Sequence, residues 1–441
     1  MRLPGWHQII GRFLRRAGRT SWADRRPRDF VRLSLRRLED RRVLSGAPLS
    51  MGVTVSQAQG AVVVDATQAG SASQTFDVSL ESKDGKVDLE ITDNGTILFE
   101  EEIDKIASVT FRAGADNGAL VVDFSNGDPI PSGGIAFIAV GNAQPGLPGD
   151  SLQLVNGSAN NIAYTLSSLT DGQVSIAVGS QNSNIQFSGA AFTLTDELSA
   201  ATRSFAIGSA IPQVLLSADA ATAGLSQLQA AGGTTVDFQG PGSSLSVFTD
   251  PQAATSINLG GLDAGFSANL IISAGAAATI DVSVATSVGT GSLNFTAGDI
   301  EVDAALTTSG GTIELSASAQ IVVAPAGALV TTRNLIDLAA PTINHQGIIT
   351  SADGGTVRLD AGQSGTVVVT GIIDASSAES GHSGGSVDLL GKYVGLTGRA
   401  VVDVSGAAGG GSVRIGGDYQ GSNASIESAD RAFVGPDVVI N

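Results

Sequence analysis

Gly-Thr-Val-Arg-Leu at residues 355–359 is the clearest copy of a short motif that recurs through the second half of the chain. Each copy joins a small residue to Ser or Thr, an aliphatic residue, a polar residue and a large apolar residue. The other copies are Gly-Ser-Leu-Asn-Phe at 291–295, Gly-Thr-Ile-Glu-Leu at 311–315, a degenerate Asn-Leu-Ile-Asp-Leu at 334–338, Gly-Ser-Val-Asp-Leu at 385–389 and Gly-Ser-Val-Arg-Ile at 411–415. The spacings between copies are 20, 23, 21, 30 and 26 residues, which is the range of one coil of a β-solenoid.

Two more apolar segments lie between successive copies of the motif. One type occupies 300–302, 321–323, 367–369 and 394–396, and the other lies at 306, 329–330, 348–349, 372–373 and 401–402. Glycine turns separate the segments, for example at 354–355 and 384–385. Three short strands joined by such turns predict a triangular rung of about 20–30 residues, and hence a parallel β-helix in the C-terminal half.

The alternation within the motif assigns its two faces, because successive strand residues point to opposite sides of a sheet. The two inward columns, which begin at Leu293 and Phe295, are wholly apolar in all six copies. In the last four copies, the outward position between these columns alternates in charge and forms a ladder of Asp337, Arg358, Asp388 and Arg414. Exposed ion pairs contribute only about 0–1 kcal/mol each, so we interpret this ladder as a structural device that fixes rung register.

The composition favours an all-β protein and excludes thiol chemistry. Glycine is 57 of 441 residues and charged residues are only 15 %, but 42 % of the chain is hydrophobic. Small and β-branched residues at low charge suit many short strands with tight turns. The absence of cysteine excludes disulfides and thiolate metal sites.

Charge is divided unevenly along the chain. Residues 1–42 hold 13 Arg and four acidic residues, a net charge of +9, whereas the remainder carries a net charge of −27. The basic head could be a nucleic-acid-binding arm or an export signal. It lacks the apolar run of 7–15 residues of an ordinary signal peptide, and no stretch of the chain is long and apolar enough for a transmembrane helix. The acidic body would repel nucleic acid and anionic lipid, so neither is an expected partner.

A motif at the end of the basic head favours the export reading. Residues 35–47 read Leu-Arg-Arg-Leu-Glu-Asp-Arg-Arg-Val-Leu-Ser-Gly-Ala, which resembles a short motif near the N-terminus of large exported proteins of planctomycete bacteria. The resemblance implies export or surface sorting, and therefore an extracellular or cell-surface location. The residues that carry it are Leu38, Glu39, Asp40, Arg41, Arg42, Leu44 and Ser45.

The C-terminal 60 residues carry a second resemblance. Gly-Gly-Asp-Tyr-Gln-Gly at 416–421 and Phe-Val-Gly-Pro-Asp at 433–437 are similar to sequences of large exoproteins related to filamentous haemagglutinin. That resemblance implies a right-handed parallel β-helix and a role in adhesion or in surface fibres. We therefore divide the chain into a basic sorting head at 1–47, disordered or partly helical, a β-rich repeat region at 48–250 and a β-solenoid at 251–441. The middle region should be an irregular solenoid or a β-sandwich-like unit, with a short Ala-rich helix at 218–231.

Residues for chemistry are sparse. The chain has three histidines, His7, His345 and His382, which are too scattered in sequence for a catalytic triad or a multi-histidine metal site. We expect His345 in a turn or exposed. No cofactor is predicted, and calcium lacks a supporting motif, because Asp93-Asn94-Gly95 and Asp116-Asn117-Gly118 read better as turns.

These observations favour a surface structural or adhesin-like protein that is not an enzyme. Surface polysaccharide and other envelope proteins are its candidate partners. The sequence ends at Asn441 within an apolar strand, without a visible polar cap, which indicates end-to-end stacking on a partner or a truncated gene product. Two alternatives stay open: a polysaccharide lyase or hydrolase built on a β-helix, and a remnant of a longer exoprotein.

Overall fold

A computed structural model describes residues 52–69, 74–114, 118–140, 149–426 and 428–441 of the chain. The described part is all-β, as predicted, with short 3-10 turns at Ile103–Lys105 and Tyr419–Gly421. Its strands are β1 (Thr54–Ala58), β2 (Ala61–Asp65), β3 (Gln74–Lys83), β4 (Lys86–Asp93), β5 (Thr96–Glu102), β6 (Ser108–Arg112), β7 (Gly118–Asp123), β8 (Ile135–Ala139), β9 (Ser151–Val155), β10 (Ser158–Leu166), β11 (Gly172–Val178), β12 (Gln181–Gly189), β13 (Thr193–Asp196), β14 (Ser199–Ile207), β15 (Gln213–Ala218), β16 (Leu225–Ala230), β17 (Thr235–Gln239), β18 (Ser244–Thr249), β19 (Ser256–Leu259), β20 (Asn269–Ser273), β21 (Thr279–Val282), β22 (Thr286–Ser287), β23 (Leu293–Val302), β24 (Ala305–Thr307), β25 (Ile313–Val323), β26 (Ala328–Thr332), β27 (Leu335–Ala339), β28 (Thr342–His345), β29 (Ile348–Ala352), β30 (Thr356–Asp360), β31 (Thr366–Val369), β32 (Ile372–Asp374), β33 (Ser386–Leu390), β34 (Tyr393–Leu396), β35 (Val401–Asp403), β36 (Ser412–Ile415), β37 (Arg431–Val434) and β38 (Val439–Ile440).

From β19 onward the strands pair in parallel along three columns. The first column contains β20, β27, β30, β33 and β36 together with the first halves of β23 and β25. The second contains β19, β21, β28, β31, β34 and β37 with the second halves of β23 and β25. The third is a seven-stranded sheet of β22, β24, β26, β29, β32, β35 and β38. One segment from each column makes up a rung, with β23 and β25 each supplying the first two segments of their rungs, and each rung pairs with the next along the chain.

The first column stacks its inward side chains in register. Val357 pairs with Val387, which pairs with Val413. Val357 and Val387 are fully buried, and Val413 in the last strand of the column is partly buried. Burying a Val side chain stabilises a fold by about 1.5–3 kcal/mol, and a shift of one residue would turn the whole column outward. The apolar alternation therefore sets the register.

The motif glycine is required by the distance between rungs. A Cβ added to Gly311 would lie 2.0 Å from the carbonyl oxygen of Gly291, and one added to Gly385 would lie 1.9 Å from that of Gly355. Such distances are far below van der Waals contact. Only a residue without Cβ lets the corners of neighbouring rungs approach this closely.

Residues before β19 form a mixed arrangement. Parallel stacking is already present, for example from β2 to β6 to β8 to β12, and from β3 to β7 to β9 to β13 to β17. Antiparallel excursions interrupt it at β3–β4–β5, β10–β11–β12 and β15–β16–β17. Aromatic rings fill this core, including Tyr164 stacked on Phe205 with 4.4 Å between ring centroids.

Two local predictions are wrong. The Ala-rich segment 218–231 is not a helix, because β15 and β16 pair there as an antiparallel hairpin. The Asp219 carboxylate accepts hydrogen bonds of 2.9 Å from the backbone N–H groups of Ala221 and Thr222 and so forms the turn. His345 is neither exposed nor in a turn: it ends β28 with no exposed surface and lies in register between Val323 and Val369.

Residues Gly46–Asn441 form one compact unit. Parallel pairing continues across residue 250, from β18 to β20 and from β15 through β19 to β21. The last antiparallel pairing among the described strands is between β16 and β17 and ends at Gln239, so residue 250 lies within continuous parallel pairing.

Candidate functional site

The four residues of the charge ladder lie at equivalent outward positions of β27, β30, β33 and β36. Arg358 is opposite Asp337 on one side and Asp388 on the other, and Asp388 is opposite Arg414. The Arg358 Nη1 to Asp337 Oδ2 distance is 3.7 Å, and Arg414 Nη1 donates to Asp388 Oδ1 at 2.9 Å. The outward column therefore brings alternating charges side by side.

The ladder is organised as two groups of ions. Arg358 also binds Asp360 on its own strand, and Arg414 Nε lies 3.5 Å from Asp418 Oδ1. Burial raises the pKa of Asp337, and the neighbouring Arg358 opposes that rise. With both arginine side chains more than a third exposed, these pairs stabilise the fold only slightly. They place a stripe of alternating charge on the outer face of the first column.

A second group of charged side chains, which we call the corner cluster, consists of Arg333, Asp353, Glu379 and His382. The Arg333 guanidinium binds Glu379, its Nε lies 3.9 Å from Asp353 Oδ2, and its Nη2 lies 3.4 Å from His382 Nδ1. His382 Nδ1 is 3.3 Å from Glu379 Oε2. A cation, two carboxylates and an imidazole thus meet at one corner between the third and first columns.

Topology explains why the corner cluster assembles. Arg333 and Asp353 directly follow β26 and β29, which pair so that Thr332 is opposite Ala352. Both residues adopt the left-handed backbone conformation, with φ of 59° and 58°, so the chain leaves both strands with the same backbone geometry. Glu379 and His382 come from the longer connection between β32 and β33. The sequence does indicate this longer loop, because the spacing of 30 residues between the motif copies at 355 and 385 exceeds the other spacings.

The corner cluster is half-exposed, with 37–49 % of each side chain accessible. Its imidazole and carboxylates could exchange protons or hold a polar ligand. Across the described ranges, no group of three His, Asp or Glu side chains is placed to hold a metal ion. Asp93-Asn94-Gly95 forms the turn between β4 and β5, with φ of 48° at Asn94 and 77° at Gly95. The Asp116-Asn117 pair lies outside the described residues, as do the basic head and its sorting motif.

The described part also buries an ion pair that the sequence did not indicate. Arg203 Nη2 and Nε donate to Asp196 Oδ2 at 2.9 and 3.1 Å, and the Tyr164 hydroxyl donates to the same oxygen. Arg203 also donates to the carbonyl of Leu198, but its Nη1 has no hydrogen-bond partner. Burial raises the pKa of Tyr164 well above its usual value, reinforced by the Asp196 charge. These contacts cross-link β10, β13 and β14 inside the core, and the side chains have no contact with solvent.

No family model, curated protein or solved structure matches this chain. In the described residues, no helix is long and apolar enough to cross a membrane.

Proposed function

We propose that this chain is an exported structural or adhesin-like protein whose C-terminal columns form a right-handed parallel β-helix. The observation that carries the proposal is the in-register parallel pairing from β19 to β38, with its inward apolar stacks. A parallel connection that returns to the same sheet is right-handed in about 98 % of cases. The handedness follows from that rule and from the haemagglutinin resemblance.

The outer surface supports a binding role. The repeated rungs present equivalent outward positions, of which the charge ladder is one series. Weak contacts repeated along such a surface add up to avidity without a deep pocket. Surface polysaccharide and envelope proteins are suitable partners, because they offer extended surfaces for such repeated contacts. The net charge of −27 after residue 42 repels nucleic acid.

Surface location is the first part of the proposal to test. Intact cells of the source organism are treated with protease, and the chain is followed with antibodies against residues 380–441. We expect its loss from intact cells while a cytoplasmic marker survives. Protection until the cells are lysed would contradict the proposal.

The corner cluster favours one second candidate, a polysaccharide lyase or hydrolase. An arginine that neutralises an acidic sugar beside an imidazole and a carboxylate could support such chemistry. Purified protein is incubated with acidic polysaccharides, and released reducing ends are measured for wild type and for His382→Ala. Turnover that disappears in the variant would replace the structural proposal, and no turnover above the heat-treated control would sustain it.

A further inference from the structure

One groove in the described part differs in chemistry from the charged surfaces. It has a volume of about 540 Å³ and crosses four neighbouring strands, β8, β12, β11 and β10. We call it the amide groove and define it by its polar lining residues, Thr165, Ser167, Asp171, Gln173, Gln186 and Ser188. Its volume falls within the range of about 300–1,000 Å³ that is usual for ligand sites.

Close backbone packing shapes the groove. A Cβ added to Gly172 would lie 2.3 Å from the carbonyl oxygen of Thr165 and 2.4 Å from the ring of Phe187. The start of β11 therefore approaches both neighbouring strands more closely than any other residue would permit. The Phe137 and Phe187 rings, on the buried side of the same strands, pack edge-on against Phe192, with centroid distances of 5.4 and 5.1 Å.

Internal hydrogen bonds hold the polar side chains in place. Asp171 accepts from the Ser168 hydroxyl at 2.9 Å and from the Gly189 N–H at 3.2 Å. The Gln173 amide nitrogen donates to Ser175 at 2.9 Å and to Asn184 at 3.0 Å, which leaves its Oε1 as an acceptor.

Gln186 lies opposite Gln173, and its side chain is exposed. The hydrogen-bonded side chains of Asp171 and Gln173 lose little conformational entropy on binding.

The chemistry of the lining selects a class of ligand. Amides and hydroxyls donate and accept hydrogen bonds, and no Lys or Arg lines the groove. An anionic ligand would meet the Asp171 carboxylate without a compensating cation. We propose that the amide groove binds a short stretch of neutral polysaccharide, through the Gln173 and Gln186 amides and the Asp171 carboxylate. This deepens the proposed adhesin-like function and rests on it only for the biological role of the site.

Calorimetric titration of the full chain tests the site. The neutral probes are cello-, malto-, xylo- and mannohexaose, and hexagalacturonate is the anionic oligosaccharide for comparison. We expect at least one neutral hexasaccharide to bind and hexagalacturonate to bind more weakly or not at all. Gln173→Ala and Gln186→Ala should each weaken binding by up to about tenfold, because each removes hydrogen bonds worth about 0.5–1.5 kcal/mol.

Gln213→Ala is the matched control, since it removes an exposed amide from β15, outside the groove. Its affinity should equal that of wild type. The proposal is overturned by no binding of any neutral probe, by binding that the two groove variants leave unchanged, or by preference for hexagalacturonate. These outcomes are independent of protease shaving, so a failure of the groove and a failure of surface location can be told apart.

Discussion

His345 places a titratable ring inside the apolar second column. Its Nε2–H donates to the carbonyl of Ile372 at 3.0 Å, and its Nδ1 is buried without a partner. Burial lowers the pKa of His345 from 6.5 to about 4, opposed by that hydrogen bond. The unfolded chain therefore binds a proton at a higher pH than the folded chain does. Stability from the neutral ring is complete above pH 6.5 and is lost as the pH falls towards 4.

Replacing His345 with valine, the residue at both neighbouring positions of the column, should remove this dependence. Between pH 7 and pH 4.5, we expect the wild type to lose about 2–3 kcal/mol of unfolding free energy more than His345→Val does. Urea unfolding of both proteins at the two pH values measures the difference. Parallel losses would mean that the ring is not buried as described.

The Asp196–Arg203 pair gives a second prediction at the residue scale. Asp196→Ala leaves the Arg203 charge buried and uncompensated, which should cost about 3–5 kcal/mol. Glu100→Ala breaks an exposed pair with Lys83 and should cost far less, because exposed ion pairs contribute little to stability. Chemical denaturation compares the two variants, and equal losses would contradict the buried network.

At the scale of the element, two neighbouring glycines in one turn distinguish the effect of close packing from the effect of a flexible unfolded chain on stability. Gly311 has no room for a Cβ, whereas nothing lies within 4 Å of a Cβ at Gly310. We expect Gly311→Ala to destabilise the protein by about 1–3 kcal/mol through overpacking. Gly310→Ala should be neutral or stabilising by up to about 1 kcal/mol, because it restricts the unfolded chain. Thermal unfolding of the pair measures this, and indistinguishable midpoints would contradict the close approach of the rungs.

Strands were predicted correctly where their residues follow the repeated motif, and missed where they depart from it. The motif located β23, β25, β27, β30, β33 and β36, because its alternation and its crowded glycine both serve the stack. Strand β28 was missed, since the polar His345 occupies an inward position there. The hairpin of β15 and β16 was mistaken for a helix because helix propensity is a weak prior, and the parallel pairing of β15 with β19 outweighs it.

At the scale of the whole molecule, the charge ladder, the corner cluster and the amide groove differ in how far the sequence could predict them. The ladder could be read from the sequence because its members share one position of the repeat. The corner cluster unites two strand ends with a loop, and the amide groove joins four strands through antiparallel excursions, so neither has a period to reveal it. Sites of this kind depend on register between distant segments, which becomes visible only when the pairing is known.

The central claim is that successive rungs pair in parallel and in register, and engineered disulfides test it directly because the native chain contains no cysteine. Neighbouring strands lie about 4.8 Å apart, within the Cα separation of about 4.4–6.8 Å that a disulfide spans. In the doubly substituted variant Arg358→Cys/Asp388→Cys, oxidation should produce an intramolecular cross-link, detected by mass spectrometry of non-reduced peptides. Asp337→Cys/Asp388→Cys, two strands apart, should remain reduced. Cross-linking of the second pair but not of the first would contradict the register on which the fold and its surfaces depend.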